Sequence, residues 1–297
     1  MRYASAAAFR TALEQRLLNQ SRETGASLVR LRKTVVFDRL LTRLKEVAPG
    51  RWILKGALAL DFRLGPRTRT TKDMDLARAD DEEAATADFI AAQAVQVDDF
   101  FSFTVEKARD LGERAEGAVR YHVRAELAGR LFEDAIVDVG FSDALPETID
   151  RLRGPDLLSF AEIEPVEVPA LPLEQHVAEK VHAYTRTYGT GLTSTRVKDL
   201  VDLVLVKSFA SLDAERLHAS LLQTFQRRRQ QTLPERLPPP PADWAPAYRK
   251  FATELGLDSD LGSGHSEAGA LIDPVLAGRV AGRWSPDRSA WADDVTT

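Results

Sequence analysis

The 297-residue chain contains no cysteine, and none of its apolar runs approaches the roughly 18 residues that a membrane-spanning helix requires. The lack of cysteine excludes a disulfide framework and thiolate-ligated metal sites. Hydrophobic residues make up 44% of the sequence, which is ordinary for a protein with a substantial core. We therefore expect a soluble, cytoplasmic, globular protein.

Net charge is small, −5, but it is unevenly distributed. Residues 1–80 contain 17 Lys and Arg against 8 Asp and Glu, whereas the remainder contains 23 against 37. A basic first part is compatible with a polyanionic ligand such as a nucleoside triphosphate or RNA. Solvated helix faces explain the same asymmetry equally well, so charge alone does not decide between these interpretations.

The first half of the chain alternates helical and strand patterns. Residues 6–47 have helical periodicity interrupted near SRETGAS, and WILKG and KDMDLAR have the composition of strands separated by the helix ALALDFRL. An alanine-rich helix over 81–97 precedes three strand-like segments, FFSFTVEKA, AVRYHVRAEL and AIVDVGF. These patterns predict an α/β or α+β core built on a mixed sheet.

After about residue 170 the pattern becomes consecutive helices. They are expected at PLEQHVAEKVHAYTR, RVKDLVDLVLVKSF, LDAERLHASLLQTFQRRR and WAPAYRKFATELGL. We predict a core domain at 1–170 and a helical domain at 171–297 that completes the active-site cleft. Gly, Ser and Asp are frequent after about residue 258, so that tail is expected to be only partly ordered.

Two aspartates, Asp73 and Asp75, flank Met74 in the strand-like segment KDMDLAR. Alternate residues of a strand share a face, so both carboxylates are expected on one side, with Cα atoms about 7 Å apart. Two anions so placed repel each other unless a cation lies between them. A divalent metal is the obvious candidate.

Asp138 offers a third carboxylate, in AIVDVGF. It shares a strand face with Ile136 and Gly140, opposite Val137 and Val139. If this strand lies beside KDMDLAR, three carboxylates converge, an arrangement that holds two Mg²⁺ ions for phosphoryl or nucleotidyl transfer. Taken alone, Asp138 is better explained as a hydrogen-bonded aspartate close to a turn.

Two helices in the second half place charged groups among apolar ones. Lys180 falls within the apolar stripe of its helix, where an ammonium is costly unless it meets an anion. The anion is either a carboxylate in a structural ion pair or a triphosphate. Asp199 lies in the largely apolar helix VKDLVDLVLVK and is either a functional carboxylate or a partner of Lys198, Arg196 or Lys180. Asp202 of the same helix is expected to be structural.

The loop before the Asp-x-Asp strand carries alternating arginines. The spacing of Arg67 and Arg69 would let both bind one anion, and guanidinium groups suit phosphate. The competing interpretation is that both arginines are solvated in the loop. Thr71 lies two residues before Asp73, a spacing that lets it point with the carboxylates and places it well for modification, although a threonine in a strand needs no such explanation.

The order of these motifs resembles the polymerase-β-like nucleotidyltransferase superfamily, and more closely the AbiEii/AbiGii group of toxins, relatives of the MenT toxins of type IV toxin–antitoxin systems. The resemblance covers about residues 28–250. It includes the Gly56 turn, Asp73-x-Asp75, a third strand aspartate, a Glu-Lys-x-x-Ala helix and a Lys-Asp-x-x-Asp-Leu helix. Many superfamily members have a serine after the turn glycine, where this chain has Ala57, so one side-chain contact to phosphate is missing.

The resemblance implies a Mg²⁺-dependent enzyme that transfers a nucleotide from an NTP to RNA, most plausibly the 3′ end of tRNA, and causes growth arrest or phage defence opposed by an antitoxin. It assigns metal binding, with two Mg²⁺ ions, to Asp73, Asp75 and Asp138. Nucleotide binding is assigned to these residues: Gly56, Ala57, Arg67, Arg69, Thr71 and Lys180. Asp199 becomes the catalytic base or the group that orients it. An inactive nucleotide-binding module acting through protein contacts, or an enzyme that modifies a protein, are the alternatives.

Overall fold

The protein is described by a computed structural model that covers residues 2–108, 118–142, 146, 148–186, 196–228 and 231–292. The chain folds into two compact units. The sheet unit comprises Met1–Pro66 and Thr70–Leu171, and the helical unit comprises Arg67–Arg69 and Pro172–Thr297. The division near residue 171 agrees with the change from mixed to purely helical patterns along the sequence.

The sheet unit begins with two helices, α1 (Ala6–Thr24) and α2 (Leu28–Val47). Serine hydroxyls cap both N-termini, and Gly25 ends α1 in the left-handed conformation at φ 74°. The interruption predicted near SRETGAS is therefore confirmed.

A seven-stranded mixed sheet follows in the described part of this unit, in the order β3-β4-β5-β2-β1-β7-β6. Only the β2–β5 and β1–β7 pairs are parallel. Helix α3 leads from β1 towards β2, and α4 connects β2 with β3. The elements are β1 (Ile53–Lys55), α3 (Gly56–Leu64), β2 (Asp73–Arg78), α4 (Glu82–Ala94), β3 (Phe101–Lys107), β4 (Ala118–Leu127), β5 (Arg130–Phe141), β6 (Asp150–Arg153) and β7 (Glu167–Ala170).

The two faces of the central strands differ in polarity. Met74 and Leu76 on β2, like Val137 and Val139 on β5, are fully buried in the main core. Helices α2 and α4 pack against each other, and α2 also packs on β5. The three aspartates Asp73, Asp75 and Asp138 face the other side of the sheet and are only partly buried. The α/β prediction is confirmed, and the pleat fixes which face carries the polar groups.

Two strands of the sheet were not predicted from the sequence. β6 reads DRLR and is largely charged, whereas β7 reads EVPA and contains a proline. Neither segment shows an apolar alternation long enough to indicate a strand, and β6 lies at the sheet edge, where charge and exposure are tolerated. β5 is also longer than predicted, because it begins at Arg130.

In the helical unit the four predicted helices are present as α5 (Leu173–Thr185), α6 (Val197–Phe209), α7 (Ala214–Arg228) and α8 (Ala245–Leu255). The chain continues into α9 (Leu261–Leu276) and a short hairpin of β8 (Arg283–Ser285) and β9 (Ala290–Ala292).

Within the tail that was expected to be only partly ordered after about residue 258, the described residues include α9 and the β8–β9 hairpin, and residues 293–297 lie outside the described part. Asp260 caps α9 by accepting a hydrogen bond from the backbone of Ser263. A Cβ at Gly264 would lie 2.0 Å from the Tyr248 hydroxyl, so this glycine permits close helix packing. The side chains that α9 and the hairpin bury include Ala268, Leu271, Ile272, Val275, Leu276 and Trp284. The frequent glycines suggested a poorly packed segment, but Gly264 allows close packing between helices.

No helix among the described residues combines the length and apolar composition needed to cross a lipid bilayer.

Candidate active site

The two aspartates of KDMDLAR lie at the start of β2 on one face of the sheet. Asp73 and Asp75 are partly buried, whereas Met74 between them is fully buried on the opposite face. The Cα atoms of Asp73 and Asp75, two residues apart on the strand, are therefore about 7 Å apart. The same-face pair predicted from the alternation is confirmed.

Asp138 belongs to the neighbouring strand. β5 pairs in parallel with β2, and Asp75 and Asp138 lie directly opposite each other in the register. Partners on adjacent strands lie about 5 Å apart and share a face. The condition on which a third carboxylate depended, adjacency of the two strands, is met.

A cation flanks this carboxylate pair on each side. Lys55 on β1 lies opposite Asp75, and Arg120 on β4 lies opposite Asp138. A row of four residues therefore crosses the sheet in the order Lys55, Asp75, Asp138, Arg120. We refer to it as the charged row.

Arg120 makes a forked ion pair with Asp138. Its Nε and Nη2 donate to the two carboxylate oxygens at 2.7 Å each. The hydrogen bond to Asp138 raises the pKa of Arg120 against the opposing effect of burial, and the charges of Asp138, Asp73 and Asp75 raise it further. Arg120 thus balances part of the negative charge of all three aspartates.

The turn at Gly56 lies directly against the side chain of Asp75. The glycine has φ 66°, and an added Cβ would lie 1.9 Å from Asp75 Oδ2. α3 begins at this residue, and its first N–H groups have no partners within the helix, which favours an anion there. Ala57, the next residue, is buried and has no side-chain hydroxyl. Gly56 and Ala57 can therefore offer only backbone groups to phosphate.

The Thr71 hydroxyl orients the first aspartate. Its Oγ1 lies 2.9 Å from the Asp73 carbonyl oxygen and 3.0 Å from Asp73 Oδ1. A hydroxyl has one proton, so it donates to one of these acceptors at a time. Thr71 is 7% exposed. Its hydrogen bond to Oδ1 orients the side chain of Asp73 at the start of β2.

The donor set suits a hard divalent cation, because three carboxylates supply only oxygen ligands. Within the described residues, however, no group of three or more acidic or histidine side chains is arranged to hold a metal. Both oxygens of Asp138 are engaged by Arg120. The backbone register fits a metal at Asp73, Asp75 and Asp138, provided that the Asp138 carboxylate turns from Arg120 towards Asp75.

The helical unit contains a second charged cluster, centred on Asp202. Its carboxylate accepts from Lys180 Nζ at 2.6 Å and from Arg69 Nε and Nη2 at 2.9 and 3.0 Å. Burial alone would raise the pKa of Asp202, but Lys180 and Arg69 outweigh it and the pKa is lowered. Burial likewise opposes the charge on Lys180, and Asp202 and Asp199 outweigh it, so its pKa is raised. Both groups remain ionised.

Lys180 forms an ion pair in the structure, with Asp202 as its main partner, and its contact with a triphosphate stays a prediction. Asp199 lies farther away, with its Oδ1 3.5 Å from Lys180 Nζ and its Oδ2 3.4 Å from Arg196 Nη1. The Asp199 side chain is 13% exposed, against 2% for Asp202. The structural role expected for Asp202 agrees with its burial, and Asp199 is the more accessible carboxylate.

The two loop arginines have different partners. Arg69 pairs with Asp202, whereas the guanidinium of Arg67 lies 4.8 Å from the ring centroid of Phe209. Both contacts are within the helical unit, to which Arg67–Arg69 belongs. The structure therefore does not direct these two side chains at one point, and their role in nucleotide binding stays a prediction.

Sequence reasoning gave no role to Lys55 or Arg120. A signal for the latter exists, because Arg120, His122 and Arg124 alternate along AVRYHVRAEL and so share one face of β4. Which of them meets Asp138 depends on the pairing of β4 with β5, which the sequence pattern alone does not fix.

Comparison with solved structures shows the fold of nucleotidyltransferase toxins. The nucleotidyltransferase toxin MenT4 of Mycobacterium tuberculosis H37Rv superposes with a TM-score of 0.58 at 17% identity, covering 96% of this chain and 94% of that one. JHP933 of Helicobacter pylori gives a TM-score of 0.48 at 16% identity, with coverage of 83% and 93%. A search of curated proteins gives no significant match.

Residues 39–272 match the family model described as nucleotidyl transferase AbiEii toxin, type IV TA system. The match covers most of the chain, and the chain belongs to the AbiEii family. It is therefore a nucleotidyltransferase toxin of a type IV toxin–antitoxin system, as its motif order indicated.

Proposed function

We propose that the enzyme transfers a nucleoside monophosphate from an NTP to an RNA acceptor, the 3′ end of tRNA, in a Mg²⁺-dependent reaction that releases pyrophosphate. The observation that carries this proposal is the register of β2 and β5, which makes Asp75 and Asp138 direct partners beside Asp73. Three aspartates on two adjacent strands supply the oxygen ligands that nucleotidyl transfer requires.

In this proposal Asp73, Asp75 and Asp138 hold the metal. When bound, Mg²⁺ neutralises phosphate charge and makes the α-phosphorus a better electrophile. Thr71 keeps the Asp73 carboxylate oriented through its hydrogen bond. The backbone at Gly56 and Ala57 offers N–H groups to phosphate oxygens at the start of α3, without help from a side-chain hydroxyl.

The helical unit supplies cations. Its cluster contains three of them, Lys180, Arg69 and Arg196, against the two carboxylates Asp199 and Asp202. Guanidinium and ammonium groups are suited to bind an anion such as a triphosphate. We assign Lys180 and Arg69 to that contact and Arg67 to an outer one.

Asp199 is proposed to accept or orient the proton of the acceptor hydroxyl. It is more exposed than Asp202 and keeps one oxygen near Lys180 and the other near Arg196. A base must reach its substrate, and the buried Asp202, saturated by Lys180 and Arg69, is the less suitable carboxylate. The physiological outcome is growth arrest or phage defence, and a cognate antitoxin is the regulatory partner.

The proposal is tested by incubating the protein with each α-labelled NTP, total cellular RNA and Mg²⁺. Label should enter RNA, be lost on ribonuclease treatment, and map to the 3′ end of tRNA. Label that resists ribonuclease but is lost on proteolysis would identify a protein acceptor instead. Labelling that survives EDTA would contradict the metal-dependent mechanism.

A further inference from the structure

The charged row places a guanidinium on a carboxylate that the proposed function needs as a metal ligand. Arg120 occupies both oxygens of Asp138. The fork uses the carboxylate in a bidentate manner, and Asp138 cannot keep this geometry while turning an oxygen towards Asp75. A metal and Arg120 therefore compete for the same side chain.

The placement of Arg120 depends on a local irregularity of the sheet. Near the β4–β5 turn, Leu127 pairs with Arg130, but the register shifts by one residue at a bulge between Ala125 and Glu126. Without that shift the residue opposite Asp138 would be Val119, and the arginine would point away from this face. Bulges that re-aim a side chain occur frequently beside active sites.

Arg120 is also partly exposed to water. Its side chain is 40% exposed, whereas that of Asp138 is 21% exposed. Water can solvate the guanidinium once it is released, which lowers the cost of breaking a partly exposed ion pair. A divalent cation can bind Asp73 and Asp75 as well as Asp138. We therefore expect Asp138 to interact more strongly with the cation than with Arg120.

We propose that Arg120 is a positioning residue that holds Asp138 and compensates the aspartate charge in the metal-free enzyme, and that Mg²⁺ binds by displacing it. This inference rests on the proposed metal-binding role of Asp73, Asp75 and Asp138. Arg120 is then a competitor that sets the metal affinity of the site.

The test is calorimetric titration of the full chain with Mg²⁺ alone, without nucleotide. Arg120→Gln should bind Mg²⁺ about 3- to 10-fold more tightly than wild type, because the competitor is gone. The matched control is Arg124→Gln, which removes the same charge from the same face of β4, at an exposed arginine that pairs with Glu126. It should change the affinity less than twofold.

Arg120→Lys separates the fork from the charge, and also serves if the glutamine variant does not fold. Lysine keeps the positive charge but cannot grip both oxygens, so its Mg²⁺ affinity should exceed that of wild type. Melting temperatures give a second readout. Arg120→Gln should melt below wild type in EDTA and gain more from Mg²⁺ than wild type does.

Failure of this inference differs from failure of the proposed function. If wild type binds Mg²⁺ and Asp75→Asn does not, but both Arg120 variants match wild type or bind more weakly, the displacement idea is overturned and the metal site stands. If wild type and Asp75→Asn bind Mg²⁺ equally or not at all, the metal assignment itself fails, and the inference fails with it.

Discussion

Asp75 and Asp138 lie directly opposite each other on the adjacent parallel strands β2 and β5. The pairing joins two segments more than 60 positions apart and adds a third carboxylate to the pair that β2 already carries. The same carboxylate of Asp75 lies against Gly56, at the start of α3. The geometry of the proposed metal site therefore depends on contacts between residues that are distant in sequence.

Gly56→Ala should reduce nucleotide transfer by on the order of 100-fold or more. The added Cβ would lie 1.9 Å from Asp75 Oδ2, so the carboxylate must move, and a displacement of about 1 Å suffices for such a loss. The measurement is transfer rate beside the melting temperature.

Gly50→Ala is the matched control for backbone strain. Gly50 has φ 75°, close to the value at Gly56, but an added Cβ meets nothing within 4 Å. Both variants should lose about 1–2 kcal/mol of stability from the left-handed conformation, and only Gly56→Ala should lose activity. Equal activity in the two variants would show that the contact with Asp75 is unimportant.

Lys180→Met should destabilise the protein by about 3 kcal/mol, because it leaves the buried Asp202 with only Arg69 as a neutralising partner. The apolar stripe alone predicts the opposite result, since methionine suits an apolar helix face. The urea midpoint decides between them. Adding Asp202→Asn should recover part of the lost stability, and a Lys180→Met protein as stable as wild type would contradict the ion-pair account.

Asp199→Asn should slow single-turnover transfer by about 10²- to 10⁴-fold, the usual contribution of a general base, while NTP binding persists. The side chain is 13% exposed, but asparagine has nearly the same volume and keeps a hydrogen-bond acceptor oxygen, so the fold should remain intact. NTP titration of the same variant provides the control. Simultaneous loss of transfer and binding would point to a structural role, and unchanged transfer would remove Asp199 from the mechanism.

His182 should make stability depend on pH. Burial against Phe225, then the charges of Arg228, Arg186 and Arg196, lowers the pKa of His182 to about 4 from 6.5. A depressed histidine pKa means that the folded state binds fewer protons than the unfolded state. The stabilisation is therefore complete above about pH 6.5 and is lost as pH falls towards 4, with a size on the order of 2–3 kcal/mol.

The check on His182 is His182→Leu, which cannot titrate. Urea unfolding of both proteins between pH 7.5 and about pH 4.5 should show a smaller decline for the variant. Parallel declines would mean that other groups cause the acid sensitivity.

Much of the sheet unit follows from local sequence. The alternation in KDMDLAR fixes which face carries Asp73 and Asp75, because the strand period is a local property. The strands β6 and β7 were missed, because DRLR and EVPA show no apolar alternation and form by pairing with the rest of the sheet. Their stability is non-local.

The candidate site shows the same division. Residue types and motif order indicate the aspartates, Lys180 and Asp199, and they also suggest Lys180 and Arg196 as partners of Asp199. They do not indicate the main partners of Asp138 and Lys180. Arg120 faces Asp138 only because a bulge shifts the β4–β5 register, and Asp202 is the centre of its cluster only because the fold brings Arg69 to it. The periodic pattern of apolar residues predicts neither a β-bulge nor a contact made by a loop.

The most direct test of the central claim compares Asp75→Asn with Asp134→Asn in the RNA-labelling assay. Asp134 is exposed and lies on the same strand face as Asp138, four residues away, so its variant removes the same charge outside the site. The metal-site account predicts that Asp75→Asn loses transfer by at least about 10³-fold with an unchanged melting temperature, whereas Asp134→Asn labels RNA like wild type. Wild-type labelling by a folded Asp75→Asn protein in Mg²⁺ would contradict it.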